Sequence, residues 1–283
     1  MKFFYYPGCS LEATAKEYDH SVRSVCQNLG IELVESEDWC CCGSSAAHSL
    51  NKLLSIALPA HNIALAQKAG ADIVAPCSAC FNRLKRADKV LREDGEIRQR
   101  VEETVEFKYT GTINVYSLLE ALVSIYGLDK IAARVKKPLN GMKVVCYYGC
   151  MLVRPPEVTN FDRPENPQSM DNLMKKLGAE VKMWSYKTEC CGAHQGVVNE
   201  KLTTRLVGNL LEMAMEAGAQ ALVTSCPLCQ ANIEMRRNQV QDLPSFYFTE
   251  LIEIALGVPV EKIWFKKHLV NPLPLLQSLN LAS

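Results

Sequence analysis

One cysteine pattern occurs twice in this 283-residue chain, and it constrains the fold more than any other feature. The first copy reads C-x31-C-C-x34-C-x2-C and the second reads C-x39-C-C-x34-C-x2-C. Two of the three intervals are identical, so the chain contains an internal repeat. Ten of the thirteen cysteines belong to it: Cys9, Cys41, Cys42, Cys77, Cys80, Cys150, Cys190, Cys191, Cys226 and Cys229.

The segments around the cysteines repeat as well. Leu29-Gly30 precedes a short apolar run in the first copy, as Leu177-Gly178 does in the second. A Pro/Asn/Gly cluster at 138–141 separates the copies and is typical of a break between structural units. We therefore predict two domains, residues 1–140 and residues 141–283.

Short apolar runs alternate with helical segments within each copy, which favours a parallel sheet covered by helices. The sequence predicts an α/β fold of two half-domains related by pseudo-two-fold symmetry, each a small parallel sheet flanked by helices. Pro59 should kink or break a helix at 50–68. Ser117 and Glu120 form an S-x-x-E capping box, which predicts a last helix after a strand at 113–115.

Composition excludes several classes of protein. Thirty-one basic and thirty-one acidic side chains leave no net charge, which argues against a nucleic-acid-binding protein. No apolar run approaches the roughly 18 residues that a membrane span needs, and Pro7-Gly8 interrupts any signal-peptide core. We expect a cytoplasmic protein. In that reducing compartment, metal ligation is a better interpretation of the cysteines than disulfides.

The cysteines of each copy fall where a strand ends and a helix begins. Parallel strands bring such ends to one edge of the sheet, and helix N-termini favour thiolates. Gly43 and Gly192 permit the turn that would direct both members of a Cys-Cys pair to one site. Five thiolates exceed the four of a zinc site or an ordinary cubane cluster. Each copy therefore predicts a non-standard iron–sulfur cluster, or four ligands plus one reactive thiol.

The doubled Cys…Cys-Cys-Gly…Cys-x-x-Cys pattern resembles the CCG-domain family, in particular the B component of heterodisulfide reductases, over residues 1–256. The resemblance implies two non-cubane [4Fe–4S] clusters, which Cys9, Cys41, Cys42, Cys77 and Cys80 would hold in the first copy and Cys150, Cys190, Cys191, Cys226 and Cys229 in the second. It further implies the catalytic subunit of an oxidoreductase acting on sulfur groups (EC 1.8 type). Electrons would come from the flavin-containing A component of the complex through its ferredoxin-like C component. The substrate would be a small-molecule or protein disulfide.

Two other interpretations stay open. The chain could be an electron-transfer subunit of a glycolate, lactate or succinate dehydrogenase-type complex that passes electrons to quinone. Alternatively the first copy could hold a structural zinc, since four thiolates suffice for one, leaving one [4Fe–4S] cluster and one zinc ion. Cys40 precedes the first Cys-Cys pair, and the repeat spacing favours Cys41 over Cys40 as the ligand.

Three further features have structural interpretations. Cys26 and Cys146 lie off the pattern and are predicted to be small buried hydrophobic residues. Trp39 and Trp184 precede the Cys-Cys pairs and are predicted to pack over the sites. The charged stretch 82–108 is predicted to be a solvated helix, with a docking surface for a partner subunit as the alternative.

Two histidines and two arginines are candidates for a role in catalysis. His194 follows the second Cys-Cys-Gly and could donate a proton to a departing thiolate; His48 has the weaker case. The segment 152–168 has no counterpart in the first copy. Its Arg154 or Arg163 could bind an anionic substrate tail, or the segment could be a solvated loop.

Overall fold

The computed structural model describes residues 1–44, 46–237 and 243–282. The first half contains, in chain order, β1 (Lys2–Tyr5), α1 (Gly8–Ala13), α2 (Lys16–Leu29), β2 (Glu32–Val34), α3 (Ala47–Leu50), α4 (Leu54–Ala69), β3 (Ile73–Ala75), α5 (Ser78–Glu93), α6 (Gly95–Val105), β4 (Val115–Ser117), α7 (Leu118–Glu120), a π-helical segment (Ala121–Gly127) and α8 (Leu128–Ala132). The second half contains β5 (Lys143–Tyr147), α9 (Pro156–Thr159), α10 (Ser169–Lys176), β6 (Glu180–Val181), a 3-10 turn (Ala193–Gln195), α11 (Glu200–Glu216), β7 (Ala221–Thr224), α12 (Pro227–Met235), β8 (Ser245–Tyr247), α13 (Phe248–Ala255), two 3-10 turns (Val260–Lys262 and Phe265–Lys267) and α14 (Leu273–Ser278).

Each half of the described chain forms a four-stranded sheet, and the strand order is the same in both. It is β2-β1-β3-β4 in the first half and β6-β5-β7-β8 in the second, with all neighbouring strands parallel. Every residue of the inner strands β3 and β7 is buried, because helices cover both faces of each sheet. The predicted α/β fold with two related parallel sheets is confirmed.

The two halves pack together through helices. Helix α2 of the first half lies against α13 of the second, and α10 of the second lies against α7 and α8 of the first. Between α2 and α13, the hydroxyls of Ser21 and Thr249 hydrogen-bond at 2.6 Å, and the rings of Tyr18 and Tyr247 stack at 4.0 Å. The boundary at residue 140, in the segment between α8 and β5, stays a prediction; Ser283 lies outside the described residues.

Two local predictions need adjustment. Helix α4 continues through Pro59 to Ala69, so Pro59 does not break it. The apolar residues of its inner face, including Ile56 and Ile63, are buried and hold the helix together around the missing hydrogen bond. The last strand of the first half is Val115–Ser117, not 113–115, and Ser117 Oγ caps the next helix by accepting from Glu120 N at 3.1 Å.

Candidate functional site

The ten patterned cysteines follow the carboxyl ends of strands, either in the connecting loops or in the first turns of the helices that come next. Cys77 and Cys226 have extended backbones and are the N-caps of α5 and α12, directly after β3 and β7. The strand order reverses between β1 and β3, and again between β5 and β7, so a crevice opens there in each half. The site therefore lies at the switch point where doubly wound α/β sheets bind ligands.

In the first half, the thiols form a contact chain. The Sγ atoms of Cys42 and Cys80 lie 3.4 Å apart, and Cys80 and Cys42 also lie close enough to Cys77 and Cys41, respectively, for the paired thiols to interact electrostatically. Cys9 lies close enough to Cys41 to affect its pKa electrostatically. All five predicted ligands of this half therefore meet in one region.

The second half repeats this arrangement. The Sγ atoms of Cys191 and Cys229 lie 3.5 Å apart, and Cys229 also lies close enough to Cys226 for the two thiols to interact electrostatically. The thiols of Cys150 and Cys190 form a second pair. Both predicted ligand sets are thus brought together by the fold.

The two sets meet across the boundary between the halves. The thiols of Cys77 and Cys226 lie close enough to shift each other's pKa. Above this contact, the buried Tyr18 hydroxyl donates to Ser225 O at 3.0 Å and lies 3.4 Å from Pro76 O. Each of these two carbonyls belongs to the residue before one of the paired cysteines, so one side chain fixes both loops.

The predicted turns at the Cys-Cys-Gly motifs are present. Gly43 and Gly192 have positive φ angles of 69° and 79°. A Cβ on Gly43 would lie 2.7 Å from the Ala47 side chain, so only glycine fits there. In each turn the glycine N–H donates to the first cysteine of the pair, to Cys41 Sγ at 3.4 Å and to Cys190 Sγ at 3.3 Å.

Small residues also leave room beside the Cys-x-x-Cys motifs. A Cβ on Gly8 would lie 2.9 Å from Cys80 Sγ, and one on Gly149 would lie 3.3 Å from Cys229 Sγ. The two glycines precede the first cysteine of each set. They form matching cradles in which the chain passes close to sulfur.

Aromatic residues brace both sites in the same way. Tyr6 OH donates to Cys40 O, and Tyr147 OH donates to Glu189 O, both at 2.8 Å and both to the residue before the Cys-Cys pair. Trp39 packs edge-on against Tyr6, and the indole of Trp184 packs against Tyr147 and donates to Cys146 O. The predicted packing role of the two tryptophans fits these contacts.

Each patterned set contains a thiol whose pKa is lowered, whereas hydrogen bonds with neighbouring thiols and burial raise the pKa of several of its partners. Hydrogen bonds with the Cys41 and Cys80 thiols lower the pKa of Cys42 to about 3. A hydrogen bond with Cys150, aided by the Gly192 N–H and the charge of His194, lowers the pKa of Cys190 to about 6. Such thiols are poised to be thiolate ligands.

The cysteines outside the pattern lie in different surroundings. Cys26 and Cys146 are buried, and burial raises the pKa of Cys26 to about 12. The Cys40 thiol donates to Leu58 O at 3.3 Å, and its backbone is clamped by the buried Asn62 side chain. Cys40 therefore faces α4, as expected of a residue outside the ligand set.

The remaining predicted candidates are spread around the site. His194 is exposed and lines a small cavity beside the second set of thiols; His48 lies 3.4 Å from the Arg83 guanidinium, on the first half. Arg154 is engaged within its own loop, donating to Glu165 at 2.7 Å and to Thr188 Oγ1 at 3.0 Å, whereas Arg163 is exposed.

Sequence reasoning missed several polar groups at the cysteine loops. Ser44 Oγ, Ser78 Oγ, Ser225 Oγ and Arg83 Nε are buried atoms without a hydrogen-bond partner in the described protein. Their only sequence signal is position, because each follows or precedes a patterned cysteine within three residues. Buried hydrogen-bond donors without an acceptor are rare. Several of them at one site indicate that a bound group other than protein accepts their hydrogen bonds.

The donor chemistry fits an iron–sulfur group in each half. Each set offers five soft sulfur donors at helix N-termini, with glycine cradles and unpaired hydrogen-bond donors beside them. Over the described ranges, no three His, Cys, Asp or Glu side chains have the arrangement that a single metal ion requires. Thiolates are the ordinary ligands of iron–sulfur clusters.

The fold and the site together define a doubled, cysteine-rich α/β protein. The family model described as the cysteine-rich domain CCG matches residues 3–85 and 144–234, and the chain belongs to this family. The match covers both repeats and confirms the resemblance seen in the sequence.

Named relatives cover nearly the whole chain. The 8-methylmenaquinol:fumarate reductase membrane anchor subunit of Wolinella succinogenes is 30% identical over 95% of this chain and 97% of its own length. The B component of the Ferredoxin/F(420)H(2)-dependent CoB-CoM heterodisulfide reductase of Methanosarcina acetivorans is 24% identical over 98% and 97%, respectively. A protein of Archaeoglobus profundus that is named as similar to the same component is 26% identical over 93% of both chains. The family and these relatives support an iron–sulfur electron-transfer subunit of an oxidoreductase.

A solved structure shows the same fold. A hypothetical protein from Helicobacter pylori superposes with a TM-score of 0.77 at 14% identity, over 95% of this chain and 52% of that protein. In residues 1–44, 46–237 and 243–282, none of the helices is both long and apolar enough to cross a membrane.

Proposed function

We propose that this chain is the catalytic subunit of a heterodisulfide reductase-like complex, which reduces a disulfide or forms it in the reverse direction. The observation that best supports this proposal is the junction of the two cysteine sets. Cys77 contacts Cys226 there, and residues of both halves line the cavity beside the second set. A small cavity walled by thiols suits a small sulfur compound. The relatives named as B components of heterodisulfide reductases support the same reaction class.

The proposal assigns a non-cubane [4Fe–4S] cluster to each half, with the ten patterned cysteines as ligands. When bound, such groups supply single electrons and iron centres with affinity for sulfur. The chain's own part is to hold the thiolates, to donate backbone N–H groups from Gly43 and Gly192, and to fix the two Cys-Cys turns through the hydroxyls of Tyr6 and Tyr147.

Reduction of the disulfide consumes two electrons and two protons: R–S–S–R′ + 2 e⁻ + 2 H⁺ gives R–SH and R′–SH. His194 is the proposed source of one proton. Its imidazole lines the cavity, is open to solvent, and influences Cys190 electrostatically. A histidine so placed can donate a proton to a thiolate near neutral pH and be recharged from water.

The electrons are proposed to come from a ferredoxin-like partner, the C component of such complexes. This partner would receive them from the flavin-containing A component. Cys9 and Cys41 are exposed on the first half and mark the face where a donor could approach. The cytoplasmic location predicted from the sequence is part of this proposal.

The test is a disulfide-reduction assay with the iron-loaded protein under anaerobic conditions. The protein is reduced with dithionite, freed of reductant and mixed with a small mixed disulfide, and the free thiols are counted. We expect two thiols for every two electrons stored. Reoxidation without thiol release would contradict the proposal.

A second candidate is an electron-transfer subunit that exchanges electrons with quinone. The observation in its favour is the 30% identity to the protein from Wolinella succinogenes, whose name includes 8-methylmenaquinol. A water-soluble menaquinol analogue distinguishes the two. Reduction of the iron–sulfur groups by this quinol, with no reaction toward disulfides, would favour the second candidate.

A further inference from the structure

The Ser78 side chain is a buried donor without a partner. The residue is 2% exposed, and its Oγ makes no hydrogen bond within the described chain. A buried hydroxyl without a hydrogen-bond partner destabilises the folded state. Its position at the cysteine junction indicates that a bound group completes it.

Ser78 belongs to the first half but lines the cavity of the second. Most of the cavity wall belongs to the second half and includes Cys150, Cys190, Cys191, His194, Cys226 and Cys229. Ser78 is the first residue of the 16-residue helix α5, where unpaired N–H groups and a partial positive charge favour anions. The wall of the second half supplies cysteine sulfurs that can bind a sulfur-containing group. The hydrogen-bond acceptor that suits the Ser78 hydroxyl is therefore an anionic sulfur.

The repeat shows that this donor is not a general property of the scaffold. Pro227 occupies the equivalent position in the second Cys-x-x-Cys motif and has neither a hydroxyl nor an N–H. At this position the second half therefore offers the first cysteine set no hydroxyl.

We propose that Ser78 Oγ donates a hydrogen bond to an anionic sulfur bound in the second-half cavity, which makes this cavity the sulfur-binding site of the protein. The sulfur is either the thiolate of a bound substrate or a sulfide of the iron–sulfur group itself. The inference rests on the proposed function, because it requires an iron–sulfur group held by the second cysteine set.

The test uses the iron-loaded protein and 2-mercaptoethanol as the probe. Thiol binding and the midpoint potential of each group are followed by EPR in wild type, Ser78→Ala and Ser78→Thr. Ser117→Ala is the matched control, because Ser117 is also 2% exposed, but its Oγ accepts from Glu120 N and the residue does not line the cavity. Iron content and circular dichroism verify that each variant is folded and loaded.

If the sulfur is a substrate thiolate, Ser78→Ala binds 2-mercaptoethanol about tenfold more weakly with unchanged potentials, and Ser78→Thr retains binding. If it is a sulfide of the cluster, the potential of the second-half group falls in Ser78→Ala without any thiol. Unchanged affinity and potential in fully loaded Ser78→Ala would overturn the inference, as would an equal effect in Ser117→Ala. Wild type without iron in the second half would overturn the proposed function itself and the inference with it.

Discussion

Three residues after each Cys-x-x-Cys motif, the two halves place different side chains beside equivalent cysteines. In the first half the Arg83 guanidinium donates to Ser44 O at 3.3 Å and lowers the pKa of Cys42 electrostatically. In the second half Asn232 donates its neutral amide to Cys191 O at 2.6 Å. A nearby cation stabilises added electrons. The same scaffold thus places different charges beside the two cysteine sets.

A second difference lies behind the last strand of each sheet. In the first half, burial raises the pKa of Glu120 to about 7, and its Oε2 has no partner among the described residues. In the second half, His268 bridges Glu234 at 3.0 Å and Glu250 at 2.8 Å. The C-terminal segment, through His268, therefore neutralises the carboxylates of Glu234 and Glu250 and is held against the core. This pair of acids has no counterpart in the described part of the first half.

The largest expected effect comes from removing a ligand of the second site. Cys190→Ala and Cys191→Ala should each abolish disulfide reduction and lower bound iron by about half, because binding of a metal group is coupled to the local structure of its ligands. Iron analysis and the thiol-release assay measure both effects.

The matched controls are Cys146→Ala in the second half and Cys26→Ala in the first. Both cysteines are buried away from the ligand sets, so iron content should stay at the wild-type value. Full activity in Cys190→Ala and Cys191→Ala would contradict a catalytic second site. Iron loss in a control would show that the ligand sets are wrong.

The next effect tests the acid pair of the second half. His268→Gln leaves two buried carboxylates without a counter-charge and should lower the free energy of unfolding by about 3–5 kcal/mol near neutral pH. Anaerobic urea denaturation measures this. A loss below about 1 kcal/mol would contradict the charge pairing.

The same histidine predicts a pH dependence. Although burial opposes its charged form, Glu250 and Glu234 raise the pKa of His268 from 6.5 to about 11. A raised pKa means that the folded state binds the proton more tightly. This stabilisation is complete below about pH 6.5 and is lost as the pH rises toward 11. Wild type should lose stability over that window, whereas His268→Gln should lose less.

A smaller effect tests the redox difference between the halves. Arg83→Gln should lower the midpoint potential of the first-half group, by about 60 mV if the lost interaction is worth a tenfold change in a one-electron equilibrium. Arg83→Lys should keep most of the potential because it keeps the charge. Asn232→Ala is the control in the second half; an equal fall there would show that charge is not the cause.

The smallest effects test the shared scaffold. Tyr6→Phe and Tyr147→Phe each remove one hydrogen bond to the residue before a Cys-Cys pair. Each should cost about 1 kcal/mol of unfolding free energy, and nearly the same amount in both halves. Clearly unequal losses in urea denaturation would show that the two turns are not equivalent.

Periodicity and repeat spacing predict much of this architecture. The paired sheets and the turns at Gly43 and Gly192 follow from local patterns, because strand, turn and helix signals are encoded within short segments. The helix through Pro59 and the shifted strand at Val115–Ser117 differ because tertiary burial outweighs local preference.

The junction between the halves is not encoded in any local pattern. The contact of Cys77 with Cys226, and the entry of Ser78 into the opposite cavity, depend on how two units pack. Spacing within a repeat carries no information on that packing. The pairing of His268 with Glu234 likewise joins residues distant in sequence, so only the folded chain reveals it.

The central claim is that both halves carry the same kind of iron–sulfur group despite their different surroundings. Iron, acid-labile sulfide and zinc in anaerobically purified protein test it most directly. Two four-iron groups predict about eight iron and eight sulfide per chain without zinc. Four iron with one zinc would show that one half has become a structural zinc site, and zinc alone would contradict the redox function altogether.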